Sequence, residues 1–360
     1  MSAPAPADAP GRERFRPAGL RPLWMVVALA VLAAAVIAGV ALGPVTIPPG
    51  SVALELLNHI PGVHFHSGLN PQRAAIVWDL RAPRVALAVL VGAMLGLAGG
   101  CYQGVFRNPL ADPMLLGVAA GAGLAATVFI IARAHGAPLD DRLLPLAAFA
   151  GALAALAATY FLGGFGAGAR RGPVTLILAG VAVSAFFTAM QTYIQQRNVD
   201  TVASVYSWIM GRLNAAEWSD VYTLLPYVVV TAVAVLARRR ELDVLSLGDA
   251  EATALGLHPR HSRLILLTAA SLGTAAAVSV SGLIGFVGVV VPHLVRLTAG
   301  RSYRAILPLS LVTGAAFLVI ADLAARVAIA PAELPIGVVT AFVGAPFFAL
   351  VMRTSTEVNP

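Results

Sequence analysis

An all-α membrane protein with about ten spanning helices is the fold class this sequence predicts, and three observations predict it. Of 360 residues, 59% are hydrophobic and only 11% are charged, where a soluble domain carries about 25% charged residues. The mean hydropathy is +0.84. Apolar runs of roughly 20 residues recur along the chain with charges gathered at their ends; that is the length a helix needs to cross lipid while satisfying its own backbone.

Residues 1–22 are rich in Pro, Ala and Arg (Arg12, Arg14, Arg16, Arg21) and hold too little apolar surface to fold alone, which predicts a disordered cytoplasmic tail. The uncharged run Leu23 to Leu42 is longer than the apolar core of a signal peptide and many further runs follow it, so it is the first span. Residues 44–84 contain proline and glycine turns, histidines and a short surface helix, predicting an extracytoplasmic loop. The second span runs from about Val85 to Phe106. Further spans are expected near 114–132, 143–162, 174–195, 221–237, 264–282, 284–298, 306–328 and 335–352. One membrane domain thus covers 23–353, with a cytoplasmic segment at 238–263 and a cytoplasmic tail at 354–360. The boundary at Gly282 is the weakest of the series, and the eighth run is short and contains Pro292.

An even number of spans puts both termini on one side. All 24 basic residues are arginine, and arginines mark cytoplasmic loops. With a cytoplasmic tail, Arg107, Arg170, Arg171, Arg238 to Arg240, Arg260, Arg263, Arg301, Arg304 and Arg353 are cytoplasmic too, and fewer (Arg73, Arg81, Arg84, Arg133, Arg142, Arg197, Arg212, Arg326) face outside. The net charge of +7 is spread over loop ends rather than one patch, which is no footprint for nucleic acid. The lone Cys101 excludes an internal disulfide and reads as a small buried residue. Gly-rich stretches, Gly92 to Gly100 and Gly117 to Gly123, allow close helix approach.

Several function classes lack their residues. With no lysine the chain has no P-loop to hold nucleotide phosphates. An intramembrane enzyme needs a nucleophile with a base or an HExxH pair, and neither occurs; a secondary transporter needs ionisable groups at mid-span, whereas most charges here lie at span ends. His59, His64 and His66 lie in a Pro/Gly loop without Cys, Asp or Glu at ligand spacing, so no metal site is expected.

Two segments carry a more specific signal. From Arg81 the chain reads RAPR, then LVGAMLGLAGGCYQGVFRNPLADPMLLGVAAGAG, where proline forces a helix break and a fixed loop around Asn108, Pro109 and Pro113. Later it reads SGLIGFVGVVVPHLVRLTAG and ADLAARVAIAPAELPIGVVTAFVGAPFF. With Leu255 to Leu257 as LGL, Pro292-His293 and the ELPIG from Glu333, these motifs resemble the FecCD-type, BtuC-like permease family of iron-siderophore, haem and cobalamin importers, over about Arg81 to Met352. Ser302-Tyr303 replaces the family's common Asp-His, and Val289 its common Leu.

The resemblance implies a type II ABC importer fold in the cytoplasmic (inner) membrane. It implies a homodimer with the path along the dimer interface, an extracytoplasmic binding protein, and two ATPase subunits that carry ATP and magnesium, leaving this chain without a cofactor. A ferric siderophore or haem is the first cargo expected, cobalamin the second. By resemblance Arg81, Arg84 and Arg326 receive acids of the binding protein, a role guanidinium suits because it pairs bidentately with carboxylate; the alternative is anchoring at headgroups. Asp322 and Arg326, spaced i, i+4, predict a pair on one helix face. The segment containing LGDAEATALG reads as one short helix ended by Gly256. It resembles the family's coupling helix, with Leu247, Gly248, Asp249, Ala252, Leu255 and Gly256 against the ATPase; a charged loop that sets topology is the alternative. Gln103, Asn108 and Pro109, Pro173 and Val174 at the opening of the fifth span, and Gln191 and Gln195 at its polar end are the path or gate candidates, the last two equally readable as interfacial.

Overall fold

The computed structural model describes residues 22–43, 45–60, 62, 64–164, 173–330 and 332–356. Of the tail expected over 1–22, all but Pro22, which begins the first helix, lies outside these residues, as do Arg170, Arg171, Gly172 and 357–360.

α1 (Pro22–Ala41) is uncharged and opens on proline, which fits a first turn because its missing N–H has no partner there anyway. α2 (Pro49–Asn58) and α3 (Pro71–Ala75, capped by Asn70) lie in the connection that follows α1. α3 runs through a π-turn at Ile76–Arg81 into α4 (Ala82–Phe106), so the second span starts earlier than its apolar run. Pro83 is tolerated there because it occupies the first turn of α4. After α4 come α5 (Val118–Ala134), α6 (Leu144–Leu162), α7 (Pro173–Gln196), the short α8 (Val202–Ile209) and α9 (Trp218–Ala237), whose start is fixed by a reciprocal Glu217/Asp220 capping box. α10 (Arg239–Leu245) and α11 (Asp249–Ala254) precede α12 (Pro259–Ser281), α13 (Val287–Ala299), α14 (Tyr303–Val327) and α15 (Ile336–Thr356). α15 carries the chain three residues into the expected C-terminal tail.

Among the described residues seven helices are long and apolar enough to cross a membrane, and α5, α13 and the apolar part of α15 are shorter. Together they occupy the ten expected positions. α13 departs from expectation. Its 13 residues span about 20 Å, short of a hydrocarbon layer of about 30 Å. The crossing is completed by non-helical chain: Ser281 O takes the Arg212 amide at 2.8 Å at one end of the bundle, and the Tyr303 amide meets Asp243 at 2.6 Å at the other. Between α12 and α13 this backbone is buried or half-buried, as non-helical chain at membrane depth must be, whereas Gly300 and Arg301 after α13 are exposed. Pro292 lies inside α13, as the run near 284–298 implies.

α4 is the central helix and is buried for most of its length. The glycines of GAMLGLAGG explain why. A Cβ on Gly92 would overlap the Gly314 carbonyl of α14, one on Gly96 the Ser310 carbonyl, and one on Gly99 the Gly288 carbonyl of α13. The backbones therefore touch, which is how helices gain dispersion contact in a solvent that offers no hydrophobic drive. Gly99→Ala is expected to destabilise the protein by roughly 1–3 kcal/mol through overpacking. The readout is heat-induced labelling of Cys101, the only cysteine and fully buried.

Candidate functional site

Three clusters contain the candidate residues. At the end of the bundle where α4 begins and α14 finishes, Arg84 donates from Nε to both Asp322 oxygens (2.9 and 3.1 Å) and from Nη1 to both Glu333 oxygens (3.1 and 2.9 Å). Asp322 also pairs with Arg326 at 3.1 Å, in ion-pair range though off line for a hydrogen bond. Arg326 Nη2 donates to Gly39 O at 2.7 Å, while Arg81 donates to Val40 O, Ala41 O and Val45 O at 2.8, 3.0 and 2.5 Å. The last carbonyls of α1 have no partner within the helix and carry its negative dipole end. Two guanidiniums close that end.

Arg81 is 7% exposed and Arg326 4%, so two of the three arginines expected to meet a binding protein are turned inward. Arg84, at 11% side-chain exposure, is only slightly less enclosed and is committed to Asp322 and to the more exposed Glu333 (35%). The Asp322/Arg326 pair expected from spacing is present, widened into a four-residue network by Arg84 and Glu333, with Arg81 beside it on the carbonyls that end α1.

At the other end, α4 stops in a Schellman turn. Arg107 sits at φ 52 where glycine is usual, with Asn108 N on Gln103 O at 3.1 Å. Exposed Asn108 accepts the Leu110 amide at 2.9 Å beside exposed Pro109, and Asp112 caps the turn Pro113–Leu116. The loop is rigid because side chains take its free amides. Gln103 is enclosed: it donates to Gly288 O and Val289 O at 3.3 Å and accepts from Arg296 at 3.1 Å, while Arg296 also reaches Tyr303. Buried at 1% exposure, it braces α4 against α13.

The segment 238–263 holds two helices, not one. α10 is docked by Asp243, which accepts from Ser302 Oγ at 2.9 Å and the Tyr303 amide at 2.6 Å and so caps α14. α11 ends in a second Schellman turn at Gly256 (φ 82), with Leu257 N on Ala252 O at 3.0 Å, and Gly248 (φ 132) opens it in a conformation side chains resist. Ala252 is buried beneath it. Leu247 and Leu255, at 61% and 65%, project from its two ends. Asp249 anchors it: both carboxylate oxygens accept from Arg263, at 2.7 and 2.5 Å, and Arg107 adds a contact at 3.3 Å. The α4 break and the α11 segment are thus joined by one carboxylate.

The Arg263 hydrogen bonds, aided by the charge of Arg107, hold the Asp249 carboxyl below its usual range against a smaller opposing effect of burial. A lowered folded-state value means the clamp is fully present above the unfolded value of about 3.9 and is lost as pH falls through the lower folded one. The difference in melting temperature between wild type and Asp249→Asn is therefore expected to be flat from about pH 5 to 8 and to shrink below about pH 4.

Val174 is 68% exposed at the start of α7, and of Pro173 only its helical backbone is described. Gln191 packs inward, donating to Thr127 at 3.1 Å, so it joins α7 to α5. Gln195 is half-buried with its amide nitrogen unpartnered. His59 stacks on Trp78 at 3.4 Å, and His64 and His66 are exposed. Sequence reasoning missed Asp243 and Arg296; their partners lie 60 and 193 residues away, and no local pattern marks them.

Residues 31–354 match the FecCD transport family. A hemin transport system permease protein of Yersinia pestis is 39% identical over 77% of this chain and 83% of its own. The Fe(3+) dicitrate permease protein FecD of Escherichia coli K12 is 40% identical (76% and 83%), and the cobalamin import permease BtuC of Halobacterium salinarum is 40% identical (79% and 75%). A solved metal-chelate type ABC transporter in an inward-facing conformation superposes with a TM-score of 0.80 at 25% identity, over 93% of this chain and all of that one.

Proposed function

The chain belongs to the FecCD transport family and is a multi-pass membrane transport subunit, and on that premise we propose that it passes a ferric chelate, a siderophore complex or haem, into the cytoplasm as the permease of an ATP-driven importer. The observation that carries this reading is α11. A short surface helix, clamped from behind by Asp249 and presenting Leu247 and Leu255, suits insertion into a groove of a separate ATPase, and the chain has no nucleotide-binding lysine of its own. The 40% identity to an archaeal cobalamin permease favours cobalamin as the second cargo.

Two copies are proposed to pair along α7. Ser184, Thr188, Thr192 and Gln195 follow one helix face and are exposed or half-buried in the single chain. Hydroxyls and amides facing lipid are costly, which supports a second copy and a wet path against them. At the other membrane face, an acid of a binding protein is proposed to take Arg84 from Glu333, while Arg81 and Arg326 hold α1 behind it. Both termini are assigned to the cytoplasm and the chain to the inner membrane.

Proteoliposomes holding this chain with its ATPase and binding protein test the reading. Uptake of one cargo among haem, ferric siderophores and cobalamin, dependent on ATP and on the binding protein, is expected. Transport that needs neither overturns it.

A further inference from the structure

Two adjoining cavities lie on one seam, between α9 and α12, and share Tyr227. The first, about 410 Å³, is rimmed by Arg142, Arg212, Glu217, Asp220 and Asp141, the last already paired with Arg133, and is floored by Phe149 and Leu224. It sits where α6 and α9 begin and α12 ends, at one end of the bundle. Trp218 and Tyr222, the latter 65% exposed, stand at the same level on α9, as aromatic side chains do at a headgroup layer. The second cavity, about 820 Å³, continues toward the other end and is lined by Val230, Ile265 and Leu272, with two threonine hydroxyls. Tyr227 marks the junction, edge-on to Phe149 with ring centroids 5.6 Å apart. From Glu217 to Thr231 the α9 axis rises about 20 Å, somewhat more than the hydrocarbon depth of one leaflet, roughly 15 Å.

The charges are arranged for a ligand that carries both signs. Arg142 is exposed and Arg212 half-buried; among the described residues neither guanidinium makes a side-chain hydrogen bond or close ion pair, although the Arg212 charge reaches Asp220 across the cavity rim. Asp220 accepts the Glu217 amide at 3.1 Å and Glu217 accepts from Ser219 at 3.3 Å, which leaves each carboxylate with further lone pairs. An anionic headgroup satisfies the arginines and is repelled by the carboxylates. A choline headgroup has no N–H to donate to them. A headgroup with one phosphate and one primary ammonium satisfies both.

We propose that this seam is a binding site for one aminophospholipid, with phosphate on Arg142 and Arg212, ammonium on Glu217 and Asp220, and an acyl chain laid past Tyr227 along the apolar cavity. The proposal rests on the chain spanning a membrane and not on its role in import.

Native mass spectrometry of the full-length chain released in mild detergent is expected to find phosphatidylethanolamine retained, one per chain. After delipidation, add-back from mixed micelles is expected to rank phosphatidylethanolamine above phosphatidylglycerol and phosphatidylcholine. Arg142→Gln with Arg212→Gln is expected to weaken retention at least about tenfold, the effect of losing a charge-assisted hydrogen bond or two. Thr268→Trp, which fills the apolar cavity and leaves the charges, is expected to weaken it as well. Protection of Cys101 from thiol reagents shows that each variant is folded. Equal retention of phosphatidylglycerol or phosphatidylcholine, variants that hold lipid as wild type does, or no bound lipid before or after add-back would each overturn the site. No ATPase or binding protein takes part, so these outcomes leave the importer reading where it stands.

Discussion

Asp322→Ala is expected to destabilise the protein by about 3–5 kcal/mol, the cost of leaving a buried charge without its partner. Asp322 is 1% exposed and serves two guanidiniums at once, Arg84 at 2.8 Å and Arg326 at 3.1 Å. Without it Arg84 keeps Glu333, but Arg326, itself 4% exposed, keeps only the carbonyls of Gly39 and Leu42. A guanidinium does not escape by losing its proton. The end of α1 should loosen with it, since Arg326 and Arg81 are what tie that end to α14 and α4. Heat-induced labelling of Cys101 reads the loss. A double variant, Asp322→Ala with Arg326→Leu, removes both charges and is expected to recover part of it. An Asp322→Ala protein that melts with wild type shows that the network bears no stability.

Leu247→Glu with Leu255→Glu is expected to leave the fold intact and reduce ATP-driven uptake by at least about a hundredfold. The two side chains are 61% and 65% exposed, and surface changes of this kind stay within about 0.5 kcal/mol of wild type. In a partner's groove each leucine contributes on the order of 1.5–3 kcal/mol, and each 1.4 kcal/mol is about tenfold in affinity. Carboxylates at both ends of α11 add a desolvation cost. Co-purification with the ATPase and uptake are the two measurements. A variant that binds the ATPase as wild type does, yet transports nothing, shows that α11 is not the contact.

Why some of this was legible and some not follows from where each signal is encoded. The ten runs were readable because a membrane requires apolar length in a continuous stretch, and nothing distant can supply it. The same holds for the break at Asn108-Pro109, for the end of α11 at Gly256 and for the Asp322/Arg326 pair, all written within a few residues. α13 was the exception among the spans. A run near 284–298 is apolar enough to suggest a crossing, but Gly282 and Phe286 take left-handed conformations (φ 71 and 67) and leave a helix of 13 residues.

The arginines show the opposite case. Their place at span ends is a property of the chain, and it led to a surface reading for Arg81, Arg84 and Arg326 alike. What Arg81 and Arg326 touch depends on carbonyls 41 and 287 residues away, and what Arg84 touches on carboxylates 238 and 249 residues away. Gln103 and Gln191 differ from expectation for the same reason: a polar residue in a span faces a path or a protein partner, and only the neighbouring helix decides which. By itself the sequence determined that this is a many-helix membrane protein, its family resemblance, the lack of a P-loop lysine, and the position of a short polar helix between two spans. The tertiary structure decided what each of the three arginines pairs with, that one carboxylate joins the α4 break to α11, and that two leucines project from that helix, because burial and pairing are set by residues brought together from far apart in the chain.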